Sequence, residues 1–309
     1  MQITGTFLDE ISHDIPHQNW GEKEWDIDFQ HMKKMGIDTV ILIRSGYRKF
    51  LTYPSKYLVN MQGCFKPPVD LLKLYLELSE KYGMMFYFGT YDSGKYWDTG
   101  DMRHEIDLNL QVIEEVYKNY GHFKSFGGWY MSLELSRKTK GAVESIAKLG
   151  NHCKAISNGL PVLISPWMDG KKAVLARTGQ ITKESFITFK EHEAEWDEIF
   201  DGIKNSIDIV AFQDGHVDFN ELEEYLTINK SLADKYALQS WTNSESFDRD
   251  MPIKFLPIKW EKLLLKLEAA KRAGCEKAIT FEFSHFMSPQ SAYLQAGHLY
   301  NRYMEHFQK

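Results

Sequence analysis

The chain has 309 residues, 43% hydrophobic and 26% charged, with a formal net charge of -6 at pH 7 and a pI near 6.0. That length suits a single β/α barrel, and no apolar run approaches a membrane span, so a membrane partner is not expected. The acidic balance, with no cluster of Lys and Arg, argues against a nucleic-acid partner, because affinity for a phosphate backbone rests on such clusters.

Strand-like apolar runs alternate with amphipathic helical patterns along the whole chain. The first run, Gly5–Glu10, delivers Glu10 to its end, and helix Glu24–Met35 follows. Thr39–Ile43 leads to Arg44 and, after a loop, to helix Val69–Tyr82; Met84–Thr90 leads to Tyr91 and Asp92 and then to helix Met102–Tyr120. Gly127–Leu133 ends at Glu134 before helix Ala142–Ser157, and Pro161–Ser165 leads to Trp167 before helix Glu191–Lys204. Ile207–Phe212 ends at Gln213 and Asp214 before helix Phe219–Lys235. Ala237–Trp241 continues through Asn243 to Glu245 before helix Trp260–Ala273, and Lys277–Phe283 carries Glu282 and runs to His285 before helix Ala292–Phe307.

Three helices end in the same way, Lys33-Lys34-Met35-Gly36, Glu80-Lys81-Tyr82-Gly83 and Lys271-Arg272-Ala273-Gly274. The basic last turn complements the helix carboxyl end, and Gly takes the left-handed cap before the next strand. Eight such units predict an α/β fold, a single (β/α)8 TIM barrel over residues 1–309, in preference to an open doubly wound sheet, whose switch point the sequence does not show. No repeat or low-complexity linker divides the chain. The least patterned stretches, Ser45–Pro68, Asp92–Asp101, Trp167–Lys190 and Asn243–Pro257, all follow strands, which places the long loops on the face where barrels build their sites. The start MQITGTFLDEI lacks the basic head and apolar stretch of a secretory leader, so a cytoplasmic location is expected.

Glu134 is the foremost candidate for chemistry. It closes an apolar run beside Trp129 and Tyr130, where poor solvation raises a carboxyl pKa toward the range a general acid needs. A glycosidase requires a second carboxylate about 5–5.5 Å away to retain configuration, or about 6.5–9.5 Å away with a water between to invert it. Glu245, Glu282 and Asp214 compete for that role, with Glu245 preferred by its place after the seventh strand and Glu282 because a charge so deep in an apolar run is paired or functional, so these two are the catalytic candidates. Tyr91, Trp129, Trp167 and Trp241 are the expected stacking surfaces, and 14% aromatic residues is in keeping with such surfaces. Glu10, Arg44, Asp92, Gln213, Asp214, Asn243 and His285 are expected to bind sugar hydroxyls.

No metal and no cofactor is expected. There is no HxH on the first strand and no HExxH, and Cys64, Cys153 and Cys275 are too widely spaced for a metal site or a disulfide framework. Gly89-Thr90-Tyr91-Asp92-Ser93-Gly94-Lys95 has the spacing of a phosphate-cradling loop, but Tyr96 stands where Ser or Thr must hold magnesium.

Gly5-Thr6-Phe7, Met35 to Ile41, Trp129-Tyr130 with Glu134, Gln213-Asp214-Gly215, and Glu282-Phe283-Ser284-His285 with Ser288-Pro289 resemble a bacterial family of uncharacterised barrels assigned to the glycoside hydrolases. The resemblance covers nearly the whole chain and implies a carbohydrate-active barrel with Glu134, Gln213, Asp214 and Glu282 at matching positions. The chain is also broadly similar to the glycosidase clan whose acid/base follows the fourth strand and whose nucleophile follows the seventh. It departs from that clan in having Leu133, not Asn, before the acid/base Glu. The expected function is hydrolysis of an oligosaccharide or glycoside by paired carboxylates. The alternatives are a metal-dependent sugar isomerase or deacetylase using Asp9, His13, Asp214, Glu282 and His285, or a carbohydrate-binding barrel without catalysis.

Overall fold

The computed structural model describes residues 1–135, 139–170, 172, 187–249 and 255–308. Parts of the loops expected at 167–190 and 243–257 therefore lie outside the described residues. Eight parallel strands close into a barrel: β1 (Ile3–Leu8), β2 (Thr39–Leu42), β3 (Met85–Gly89), β4 (Phe126–Met131), β5 (Val162–Ile164), β6 (Ile209–Gln213), β7 (Gln239–Asn243) and β8 (Lys277–Thr280). Strands consecutive in sequence are neighbours in space, and β8 returns to pair with β1, with Thr6 opposite Thr280. The expected TIM barrel is the fold observed.

Outside the barrel lie α1 (Glu22–Met35), α2 (Leu71–Tyr82), α3 (Ile106–Tyr120), α4 (Ala142–Ile156), α5 (Phe189–Ile203), α6 (Phe219–Lys235), α7 (Trp260–Arg272) and α8 (Leu294–Phe307). Gly36 and Gly83 end α1 and α2 in the left-handed conformation, at φ of 98° and 64°, as the basic-then-Gly pattern predicts. Thr188 and Glu191 form a capping box that starts α5 two residues before the expected Glu191. No helix among the described residues is long and apolar enough to cross a membrane.

Two of the least patterned stretches contain short strands. In 45–68, Gly46–Tyr47 pairs antiparallel with Phe50–Leu51 and parallel with Tyr91–Asp92, and a helix covers Lys56–Gln62. Phe247–Asp248 pairs with Leu256–Pro257. These small sheets draw the loops after β2, β3 and β7 into fixed shapes around one mouth.

Two kinds of interior exist. Strand residues pointing outward, such as Phe86, Phe88, Trp129, Val210 and Phe212, pack against the helices, whereas Phe7, Ile41, Tyr87, Tyr130, Leu163, Ile209, Ala211, Trp241 and Ile279 fill the barrel. Because side chains alternate across a strand, Trp129 and Tyr130 belong to opposite sides. Trp129 is fully enclosed among Phe88, Tyr117 and Phe126, and its indole N–H donates to Ser157 Oγ at 3.0 Å. Its expected role as a sugar-stacking surface is thereby overturned. Trp129→Ala is expected to cost about 3–5 kcal/mol of stability, as for other large-to-small core changes, and to leave sugar affinity untouched. Thermal denaturation alongside a binding isotherm checks both halves.

Trp241 is a second correction. Strand β7 begins at Gln239, not at the expected Ala237, which sits in a left-handed turn at φ 57°. That shift carries Asn243 to the strand end and leaves Trp241 a layer lower. Trp241 lies under Lys277 at 5.1 Å, and its N–H donates to Gln239 Oε1 at 3.1 Å. Lys277 and Gln239 open their strands, so Trp241 plugs the barrel near the end remote from the long loops.

Candidate functional site

At the carboxyl ends of the strands the barrel opens into a cavity of about 280 Å³. Its floor is Phe7, Ile43, Tyr130 and Phe281, inward residues of β1, β2, β4 and β8 or of the turns that continue them. The loop after β1 contributes Asp9, Ser12, His13, Asp14 and Ile15, and the segment after β2 contributes Arg44. Glu134 follows β4, Trp167 follows β5, Gln213 closes β6 with His216 beyond it, and Asn243 closes β7 ahead of Glu245, Phe247 and Arg249.

Six of the residues expected from the sequence therefore meet here: Arg44, Glu134, Trp167, Gln213, Asn243 and Glu245. Glu134 lies three residues past β4, because that strand ends at Met131 and not at the expected Leu133. Its peptide is anchored from two sides: the Tyr96 hydroxyl donates to the Glu134 carbonyl at 2.8 Å, and the Trp167 N–H donates to the Leu135 carbonyl at 3.0 Å. The carboxylate is open to the cavity but otherwise enclosed by protein. Desolvation raises its pKa, opposed by Arg44 and Arg249 and assisted by Asp14 and Glu245.

Glu245 is nearly inaccessible and shifts the other way. Burial, the largest single influence, would raise it, but Arg249, whose Nε and terminal NH2 donate to the two Glu245 carboxylate oxygens at 2.9 and 2.7 Å, together with Lys266 and His216 outweighs it. Two carboxylates on one cavity are thus pushed apart, one toward the protonated form and one toward the ionised form, which is the division of labour expected of an acid and a nucleophile or base.

Arg44 sits between Asp9, Asp92 and Glu134. Its ion pair with Asp92 spans 3.3 Å, and its Nε, buried on the cavity wall, has no partner. Asn243 Oδ1 and Asp9 Oδ2 are likewise buried and unpartnered, while the Asn243 amide nitrogen donates to Ser165 Oγ at 3.1 Å. Buried polar atoms are normally satisfied, so a donor and two acceptors left without partners on three residues that line one cavity suit a ligand rich in hydroxyl groups. Trp97 and Trp167 stand 6.4 Å apart on the wall beside Glu134, tilted by 35°.

The remaining expected residues lie elsewhere. Asp92 is buried behind the wall, where it accepts from the Trp97 indole N–H at 2.6 Å and pairs with Arg44. The Tyr91 hydroxyl donates to the Arg48 carbonyl at 2.5 Å, and Asn109 clasps the Tyr91 backbone from both sides. Asp214 sits beneath Glu245, bonded to Lys266. Glu10 accepts from the Gln18 N–H at 3.0 Å, and burial pushes its pKa up to about 7 against that bond.

Glu282 is fully buried as the cap of the short helix Phe283–Phe286, accepting from the Ser284 and His285 N–H groups at 2.9 and 2.6 Å and bonding His285 Nδ1. Burial disfavours a charged His285, but Glu282, with Glu10 and Asp9, overcomes this and raises it to about 9. His285 Nε2 then donates to the Pro16 carbonyl at 2.7 Å, which ties the first loop to the last strand. The charge in the apolar run is paired and not on the cavity. Glu282→Gln should destabilise the fold by about 1–3 kcal/mol, the usual penalty for weakening a buried charged hydrogen-bond set, and a denaturant midpoint measures it.

Tyr130, Trp97, Asp14, His216 and Arg249 line the cavity without having been expected there. Tyr130 was legible from strict alternation along β4, and Arg249 from its spacing four residues after Glu245. His216 and Asp14 depend on loop shapes that no local pattern specifies. Among the described residues no group of three or more His, Cys, Asp or Glu is arranged to hold a metal ion.

Residues 3–293 match a family described as a domain of unknown function, DUF4434. A crystal structure of a Bacteroides thetaiotaomicron VPI-5482 protein described as a "putative alpha-L-fucosidase" superimposes with a TM-score of 0.95 at 67% identity, over 99% of this chain and 93% of that one. The β-galactosidase of Halorubrum lacusprofundi gives a TM-score of 0.62 at 11% identity, over 99% of this chain and 58% of that one. The endo-1,4-β-D-mannanase of Thermotoga petrophila gives 0.57 at 10% identity, over 91% and 87%. At such low identity the last two are shared barrels only. No curated protein matches.

Proposed function

This chain belongs to the DUF4434 family, a barrel family with glycoside-hydrolase-like folds among its structural neighbours, and from that premise we propose that it hydrolyses a glycoside through Glu134 and Glu245. The observation that carries this reading is the opposite displacement of two carboxylates on one cavity. Glu134 protonates the departing oxygen, and Glu245, held ionised by Arg249, attacks the sugar or activates water. Arg44, Asn243, Asp9 and Gln213 bind the hydroxyls, and Trp97 and Trp167 flank the ring. Glu282 and His285 maintain the loop after β1 instead of taking part in the reaction.

Likeness to the Bacteroides protein makes an α-L-fucoside the first substrate to test. A panel of nitrophenyl glycosides headed by the α-L-fucoside, followed by β-galactoside and β-mannoside, should yield turnover on at least one member. With that substrate, kcat/KM should fall at low pH as Glu245 takes a proton and at high pH as Glu134 loses one, giving a bell. A pH profile rising or falling in one direction alone, or no cleavage across the panel, would falsify the pairing.

A further inference from the structure

Below Glu245 lies a second charged group that makes no contact with the cavity. Lys266 projects from α7, outside the barrel, and is almost wholly buried; its Nζ donates to Asp214 Oδ1 at 2.8 Å and to the Glu245 carbonyl at 3.1 Å. The same Asp214 oxygen accepts the Glu245 N–H at 3.1 Å. The peptide on both sides of Glu245 is thus gripped, its N–H by Asp214 and its carbonyl by Lys266. One turn earlier on α7, Lys262 pairs with Asp248 in the same loop. Gly215 completes the seat, because a Cβ there would stand 2.0 Å from Glu245 Oε2.

We infer that Lys266 and Asp214 are positioning residues, a clamp by which α7 fixes the orientation and charge of Glu245 for the reaction. The inference rests on the hydrolase reading above. Exposed lysines solvate themselves cheaply, and burying one requires that its charge be matched. A buried lysine whose two acceptors are the backbone of a site carboxylate and that carboxylate's own neighbour is spent on that residue. Glu245 is faced by Arg249 and Asp248 from its own loop, Lys266 from α7, Asp214 and His216 from the turn after β6, and Glu134 across the cavity. Lys266 and Asp214 form a nearly neutral pair within this set, so removing either member disturbs the field at Glu245 in opposite directions.

The test uses the nitrophenyl glycoside that the wild-type chain cleaves, with folding checked by circular dichroism. Lys266→Met should lower kcat at least 10-fold with KM within about twofold of wild type, and should move the acid limb of the pH profile upward. Asp214→Asn should move that limb downward, because an unmatched cation favours ionised Glu245. The double variant should return the limb toward wild type while kcat stays low, since charge balance is restored and the clamp is not. Selective 13C labelling of glutamate carboxyls, with the Glu245 signal assigned through Glu245→Gln, should show the same shifts without any substrate. Wild-type kcat and an unmoved limb in Lys266→Met, beside an inactive Glu245→Gln, would overturn the clamp and leave the hydrolase reading standing. An active Glu245→Gln would instead overturn the hydrolase reading, and the carboxyl titration would still decide whether Lys266 acts on Glu245.

Discussion

Glu134→Gln should lower turnover of an unactivated glycoside by roughly 10²–10⁴-fold, the usual contribution of a positioned acid or base. The amide keeps the shape and the anchored peptide, in which Tyr96 and Trp167 grip the carbonyls of Glu134 and Leu135, so binding should survive. What is lost is the proton for the leaving oxygen. An activated dinitrophenyl glycoside departs without that proton, and its cleavage should be comparatively spared. The basic limb of the pH profile should vanish as well, because the group that loses its proton there is gone. Retention of wild-type turnover on the natural linkage would reduce Glu134 to a binding residue.

Glu245→Gln should be the more severe change, on the order of 10⁴–10⁶-fold, the range seen when a group acting directly on the reacting centre is removed. No leaving group compensates, because the lost step is attack on the sugar and not release from it. The substitution also strands Arg249, whose two donors lose their charged acceptor, so some loss of stability accompanies the loss of activity. Azide or formate, small enough to enter a cavity of about 280 Å³, should partly restore turnover in the variant, and the anomer of the product identifies which step the anion has replaced. Equal loss on activated and unactivated substrates separates this variant from Glu134→Gln.

The architecture was legible in the sequence because a β/α barrel is written in periodicity: apolar runs and amphipathic returns recur at every unit, and three of the helices end in a basic turn followed by Gly. The strand ends were legible to within two residues except at the eighth, which ends at Thr280 and not at the expected Phe283, and those margins decided the errors. One strand beginning two residues late moved Trp241 from the rim to the plug, and a single step of alternation exchanged Trp129 for Tyr130. Glu282 illustrates a different limit. A charge in an apolar run signals that something pairs with it, but sequence does not distinguish a ligand from the backbone N–H groups of the next turn. Asp214 was expected on the rim and lies one tier beneath it, because its partner Lys266 comes from a helix 52 residues away. Pairings of that span are set by the closed barrel and by no local pattern.

The seam between β8 and β1 also bears on how the site is completed. The backbone N–H of Ile3 donates to the hydroxyl of Tyr303 at 2.7 Å, the Gln18 side chain donates to the Ser284 carbonyl at 2.8 Å, and His285 holds the Pro16 carbonyl. The loop that supplies Asp9, His13 and Asp14 to the cavity is therefore shaped by residues more than 250 positions along the chain from it. A chain in which β8 and α8 have not docked carries Glu134 and Glu245 but has neither a closed barrel nor a settled first loop. Whatever chemistry the cavity performs should accordingly appear only once β8 has closed against β1, so the seam, and not the presence of Glu134 and Glu245 alone, decides when the site is complete.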